Sequence, residues 1–182
     1  MDSISFHYGS PEARESIAER LDDLLANYSI YHENIRRINW DSKLRPFLDL
    51  NGKVEFLYQV TQNTRDNIAE QIVDLGFTPT IEDPQPNYLP ATTEVKVLQF
   101  IEGFDHAVIE IVNTSKRLLE MAKDIYFLAT EYKEEGTMDM MNDIVQQLSL
   151  TAIVFSRVRL AQNNLKMKDS DVGLRHIQLS NI

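Results

Sequence analysis

The sequence predicts an all-α fold, a four-helix bundle with one long crossover. Four long segments repeat apolar residues at alternating three- and four-residue steps, the period of a helix with one buried face. Only six glycines and six prolines occur among 182 residues, too few for a turn-rich β architecture. Four of the six prolines, at 79, 84, 86 and 90, fall in a single connection.

The first helix is predicted over about 11–39. Ser10 can cap it, Pro11 suits the first helical position, and Glu12 lies in the first turn. Its stripe is Ile17, Leu21, Leu24, Leu25, Tyr28, Tyr31, Ile35 and Ile38. Residues 43–50 form a linker, because Pro46 forbids a continuous helix. The second helix is predicted over about 50–75, with Val54, Leu57, Thr61, Thr64, Ile68, Ile72 and Leu75 on its buried face and Gly76 as its stop. The proline-rich residues 77–91 then read as a crossover.

The third helix is predicted over about 93–133, carrying Leu98, Ile101, Phe104, Val108, Ile111, Leu118, Ala122, Ile125 and Ala129, with Gly103 in its interior. The break falls at Glu134-Glu135-Gly136, and Thr137 caps a fourth helix running to about 164. Met141, Ile144, Leu148, Thr151, Phe155 and Val158 line its buried face. A short N-terminal arm precedes this bundle of about 11–165, and a polar tail follows it, within one domain of 1–182. One long crossover between helices 2 and 3 is the ferritin-like topology, whereas cytokine-type bundles carry two.

Lys+Arg 18 against Asp+Glu 28 gives a net charge of −10. Such a surface repels phosphate backbones and attracts cations. Residues 1–15 hold one Arg and no Lys against three acids, so the basic arm that DNA binding needs is missing. The absence of cysteine removes disulfides, thiolate metal sites and Cys nucleophiles, and suits a cytoplasmic location. No secretory signal and no membrane-spanning run is present. Neither a nucleophile elbow nor a glycine-rich phosphate loop occurs.

Intrachain di-iron sites of bundles use Glu-x-x-His on two helices. Here Glu102 and His106 are four apart, and the second and fourth helices carry no His. His32 and His106, each alone on its helix, are expected to be surface or packing residues. The second helix offers another arrangement. Asn51/Glu55 and Asp66/Glu70 are each four apart, and eleven residues separate Glu55 from Asp66, close to a whole number of turns. Both pairs therefore share one face but lie ~16 Å apart along the axis, at about 1.5 Å per residue. They converge only if two copies of the helix meet antiparallel across a two-fold axis, which yields two identical sites per dimer. The alternative is that they are solvated carboxylates on an acidic surface.

Leu21-Asp22-Asp23-Leu24-Leu25-Ala26-Asn27-Tyr28 through Ile35-Arg36-Arg37-Ile38-Asn39-Trp40 resembles the first helix of Dps proteins, the mini-ferritins. Asp66-Asn67-Ile68-Ala69-Glu70-Gln71-Ile72-x-x-Leu75-Gly76 resembles their second-helix signature, and Gly136-Thr137-Met138-Asp139 the start of their fourth helix. The resemblance implies a hollow dodecamer that oxidises ferrous iron at two-fold interfaces and stores ferric mineral inside. It implies a site built from two His and one acid of one chain with Asp and Glu of its neighbour. The corresponding residues here are Asn39, Asn51 and Glu55, facing Asp66 and Glu70, so asparagine stands where the family has both imidazoles.

The expected function is thus Dps-like iron binding and storage with ferroxidase chemistry, Glu55, Asp66 and Glu70 being the catalytic ligands. Asn39 and Asn51 complete the metal set. Iron (Fe2+/Fe3+) is the expected cofactor at low occupancy, with another divalent cation as the other choice, because an amide oxygen is a weaker donor than imidazole. Asp139 is assigned to a cation entry pore or, alternatively, to a favourable helix N-terminus. The expected partner is the chain itself, in a dodecamer, with neither DNA nor membrane. The competing expectation is a non-catalytic Dps-like shell with a lost or altered metal site.

Overall fold

The computed structural model describes residues 10–41, 44, 47–80, 98 and 101–179, with the side chains of 48, 49 and 166–179 excepted. Four helices follow in order: α1 Pro11–Trp40, α2 Leu48–Asp74, α3 Phe104–Tyr132 and α4 Glu135–Leu179. No strand occurs among the described residues. The expected N-terminal arm and most of the expected crossover lie outside them.

Helix α1 starts as its sequence dictates. The Ser10 hydroxyl accepts from the Ala13 N–H at 3.2 Å, and Pro11 takes the first helical position. All eight residues of its predicted stripe are buried. Asn27, Ile30, His32 and Asn34 are buried as well, so α1 is enclosed beyond that stripe.

Helix α2 ends in a Schellman motif. Gly76 at φ 93 turns the chain, the Phe77 N–H reaches the Ile72 carbonyl at 3.1 Å and the Gly76 N–H reaches the Val73 carbonyl at 2.9 Å. The Arg14 guanidinium of α1 donates to the Leu75 carbonyl at 3.3 Å, placing a cation at the negative end of α2. The start of α1 and the end of α2 are therefore neighbours, and the two helices are antiparallel.

At the other end Phe47, before α2, packs its ring at a tilt against Phe104 of α3, with ring centroids 4.7 Å apart. Helix α3 thus starts beside the start of α2 and runs parallel to it. The chain must return along the whole bundle between them. Side chains of α1 hold both described ends of this return. Asp22 accepts from the Thr80 N–H at 2.9 Å and from its hydroxyl at 3.0 Å. Asn34 Oδ1 accepts from the Leu98 N–H at 2.8 Å, and Arg37 donates to the Leu98 carbonyl at 2.8 Å. In the finished bundle α1 packs on α2 and α3, and α4 packs on α3 and α2.

Helix boundaries around α3 and α4 differ from expectation. Helix α3 begins at Phe104, and Leu98 and Ile101 precede it. Gly103 is its N-cap residue rather than an interior one, at φ 130, a conformation that side chains with Cβ avoid. The break before α4 is made by Lys133 at φ 57, not by Gly136, which is helical. Lys133 and Glu134 donate to the Thr130 and Ala129 carbonyls, closing a second Schellman turn. Thr137 does not cap α4. The Glu134 carboxylate accepts from the Thr137 N–H at 2.6 Å, and Thr137 is buried, its hydroxyl accepting from Gln71 Nε2 at 3.2 Å.

The expected polar tail is also helical in its backbone, because α4 continues to Leu179. The apolar repeat ends near Val158, but no proline follows to stop the helix. Its 45 residues compare with 29 in α3, so at ~1.5 Å per residue α4 overhangs the bundle by about 20 Å.

A lysine held in the left-handed conformation costs roughly 1 kcal/mol that glycine avoids. Lys133→Gly is expected to stabilise the chain by about that amount, seen in calorimetry as a rise in Tm of roughly 2–4 °C. An unchanged or lower Tm would show that Lys133 makes a compensating contact.

Candidate metal centre

Asn39 is the penultimate residue of α1, and Glu55 lies two turns into α2. The α1–α2 packing brings them together: the Asn39 amide Nδ2 donates to Glu55 Oε2 at 2.6 Å. Asn51 is half-buried in the first turn of α2, where its N–H donates to the Phe47 carbonyl at 3.1 Å. Helix α2 starts two residues before the predicted boundary, and Asn51 is a helical residue one turn before Glu55. Asp66 and Glu70 are exposed farther along α2. Among the described residues of one chain, no three His, Asp or Glu side chains come close enough to hold a metal ion.

Two aromatic side chains adjoin the Asn39–Glu55 pair in sequence and face solvent, Trp40 at 67% and Phe56 at 70% exposure. The Arg36 guanidinium covers Trp40, 4.9 Å from the ring centroid. Exposed large apolar groups beside a polar contact mark a surface that gains by being covered.

Seven residues before Asn39, on the same face of α1, His32 lies in the α1–α2 seam. It is buried, stacks on Tyr58 with centroids 4.6 Å apart, and places Nδ1 3.0 Å from the Thr61 hydroxyl. The Thr61 proton is committed to the Tyr58 carbonyl at 3.0 Å, so Thr61 accepts and His32 Nδ1 carries hydrogen. Burial holds the imidazole below its ordinary pKa, and the Arg65 and Arg36 guanidiniums push the same way against Glu33 and Asp66. These contacts make His32 a packing residue, as expected of a lone histidine on a helix.

Glu70 also borders a polar cleft between α2 and α4 of about 320 Å³, with Asp74, Asp143, Asn67, Gln71 and Gln147 on its walls. Spacing within α2 could not bring Asp143 into view, because it joins Glu70 only through the packing of α4. Asp139 is exposed on α4. It lies beyond the first turn, where Glu134 caps and Glu135 opens the helix, so those two residues take the N-terminal role offered to Asp139.

No protein-family model matches the chain. It is 26% identical over 125 residues to the DNA protection during starvation protein of Porphyromonas gingivalis, covering 69% of this chain and 77% of that one. The protein of the same description from Listeria innocua is 25% identical over 129 residues, or 70% and 78% of the two chains. Among solved structures, the Dps protein of Vibrio cholerae O1 superposes with a TM-score of 0.75 at 24% identity, over 86% of this chain and 98% of that one. The chain is thus similar to Dps proteins in sequence and in fold. The Vibrio cholerae protein is described as a member of a broad superfamily of ferritin-like diiron-carboxylate proteins. A dodecameric thioferritin of Bacteroides fragilis also superposes, with a TM-score of 0.69 at 14% identity, over 86% and 90% of the two chains. These superpositions establish the ferritin-like four-helix fold. No helix among the described residues is long and apolar enough to cross a membrane.

Because the folded state favours neutral His32, its contribution to stability is complete above about pH 6.5, the unfolded value, and is lost as pH falls toward the lower folded pKa. Tm should therefore drop between pH 7.5 and 5.5, and His32→Gln should flatten that drop. Parallel Tm–pH curves for the two proteins would remove His32 as the source.

Proposed function

We propose that this chain is a Dps-like protein that assembles into a closed dodecameric shell in the cytoplasm and takes up ferrous iron as its substrate during oxidative stress. Two α2 helices meet antiparallel across a two-fold axis. Glu55 of one chain then faces Asp66 of the other, and Asn51 faces Glu70. Three carboxylates per site bind and hold Fe(II), with Asn39 and Asn51 adding amide oxygens. Dissolved peroxide or oxygen accepts the electron that each Fe(II) gives up, and Fe(III) collects inside the shell.

The observation that supports this reading is the Asn39–Glu55 contact near one end of α2, with Asp66 and Glu70 exposed farther along the helix. The dodecameric description of the Bacteroides fragilis protein and the diiron-carboxylate description of the Vibrio cholerae protein support shell and metal alike. Exposed Trp40 and Phe56, and Leu150, Ile153 and Leu160 on α4, supply apolar surface for contacts between copies. DNA protection, the name two relatives bear, is not carried over, because counterion release needs clustered cations and the chain holds a net charge of −10.

A non-catalytic shell is the second reading. It is favoured by the same contact, since the Asn39 amide presents N–H groups to Glu55 where an imidazole offers a lone pair. Light scattering of the purified protein should give a mass near 12 × 21.0 kDa. Anaerobic Fe(II) titration should show binding that Asp66→Ala/Glu70→Ala abolishes, and mixing with peroxide should then oxidise the bound iron. Binding without oxidation selects the non-catalytic shell. A stable monomer, or binding indifferent to the Ala pair, overturns both uses of the two-fold site.

Asp139 belongs in this scheme as a cation guide at a three-fold pore. Asp139→Asn should slow iron entry several-fold in stopped-flow uptake while leaving the oligomer intact. Uptake at the wild-type rate would remove it from the path.

A further inference from the structure

The donors gathered by the proposed two-fold register are oxygen atoms without exception: the carboxylates of Glu55, Asp66 and Glu70 and the amide oxygens of Asn39 and Asn51. The described imidazoles are engaged elsewhere. His32 is seven residues before Asn39, packed on Tyr58 and bonded to Thr61. His106 stands at the start of α3, where its Nδ1 accepts from the Glu102 N–H at 3.1 Å. Asn39 meanwhile points its Nδ2 at Glu55 Oε2, at 2.6 Å. An amide nitrogen has no lone pair to give, so Asn39 can ligate only through Oδ1. The residues present therefore do not fit an imidazole-based metal centre, and they do fit a cation that seeks oxygen.

We infer that the two-fold centre of this chain is a hard, all-oxygen cation site that lacks the imidazole-based advantage for Zn2+ and Co2+ and suits Mn2+. The inference rests on the two-fold assembly proposed above and names the class of metal that the site accepts. Its physical basis is ligand softness. Carboxylate, carbonyl and water oxygens suit Mg2+, Ca2+ and Mn2+, whereas imidazole suits Zn2+, Cu2+, Fe2+ and Ni2+. Zinc favours compact tetrahedral sets rich in nitrogen or sulfur, while the harder ions accept oxygen ligands and keep waters. Zinc still ranks above manganese at ordinary sites, so the expected signature is a narrowed gap between the two metals rather than a reversed order.

The test is anaerobic calorimetry of Mn2+, Co2+ and Zn2+ on the purified oligomer, as wild type, Asn39→His/Asn51→His and Asp66→Ala/Glu70→Ala. Returning both imidazoles should raise Zn2+ and Co2+ affinity at least about tenfold and Mn2+ affinity less than about threefold. The Ala pair should abolish binding of all three at this site. Equal gains for Mn2+ and Zn2+ overturn the inference while leaving the assembly standing. Binding indifferent to the Ala pair, or a monomer, overturns the assembly itself. Should the double-His variant fail to fold, pulsed EPR of Mn2+-loaded wild type decides alone. A spectrum without imidazole-nitrogen modulation supports an all-oxygen site, and clear nitrogen modulation overturns it.

Discussion

The parallel course of α2 and α3 is the constraint on which the rest of this bundle depends. Two consecutive helices that run the same way cannot be joined by a tight turn, so the chain has to travel back along the bundle. Helix α1 holds the described residues of that return. Asp22 fixes Thr80 near one end, and Asn34 and Arg37 fix Leu98 nearer the other. Helix α1 consequently buries polar residues that a surface helix would expose, Asn27 and Asn34 among them. With α1 enclosed, α2 keeps a free side toward solvent, and that side carries Glu55, Asp66 and Glu70.

The polar contacts of the bundle follow from the same geometry. Tyr31 of α1 meets Ser115 of α3 at 2.9 Å, and because Ser115 donates to the Ile111 carbonyl, the phenol is the donor. Thr64 and Gln71 of α2 reach Gln147 and Thr137 of α4. Satisfied pairs of this kind fix the register of helices whose apolar stripes alone would tolerate sliding by a heptad. Burial raises the pKa of Tyr28 and Tyr31, so both phenols stay neutral in the core.

The α1–α2 seam joins this scaffold to its chemistry. One helical face of α1 places His32 against Tyr58 and Thr61, then Asn39 against Glu55 two turns later. The first contact is buried packing, and the second lies at the surface, beside aromatic groups exposed to solvent. Buried packing and the contact assigned to the proposed site are thereby separated along one seam. Asn39 at the second contact leaves the first undisturbed, because its amide satisfies Glu55 directly and keeps the seam closed.

Much of this was legible in the residues. Helix number, the α1 stripe, the Ser10 cap, the Gly76 stop and the single crossover all follow from local rules: a 3.6-residue period, a side-chain oxygen before a helix, and a glycine where φ is positive. The spacing from Glu55 to Asp66 likewise requires, by helical geometry alone, that the two acids share a face but not an ion. What escaped were features decided by contacts distant in sequence. Gly103 read as an interior glycine because nothing local says that the crossover ends there. Gly136 took the role that Lys133 plays, since a turn residue is chosen by how α3 and α4 pack and not by composition alone. Thr137 looked like a cap and is instead buried against Gln71 of α2. The helical course of α4 past Val158 was hidden because a helix can propagate without an apolar face to announce it. The approach of Asn39 to Glu55, sixteen residues away, and of Asp143 to Glu70 needed the packed bundle, because only tertiary structure sets which faces of separate helices meet.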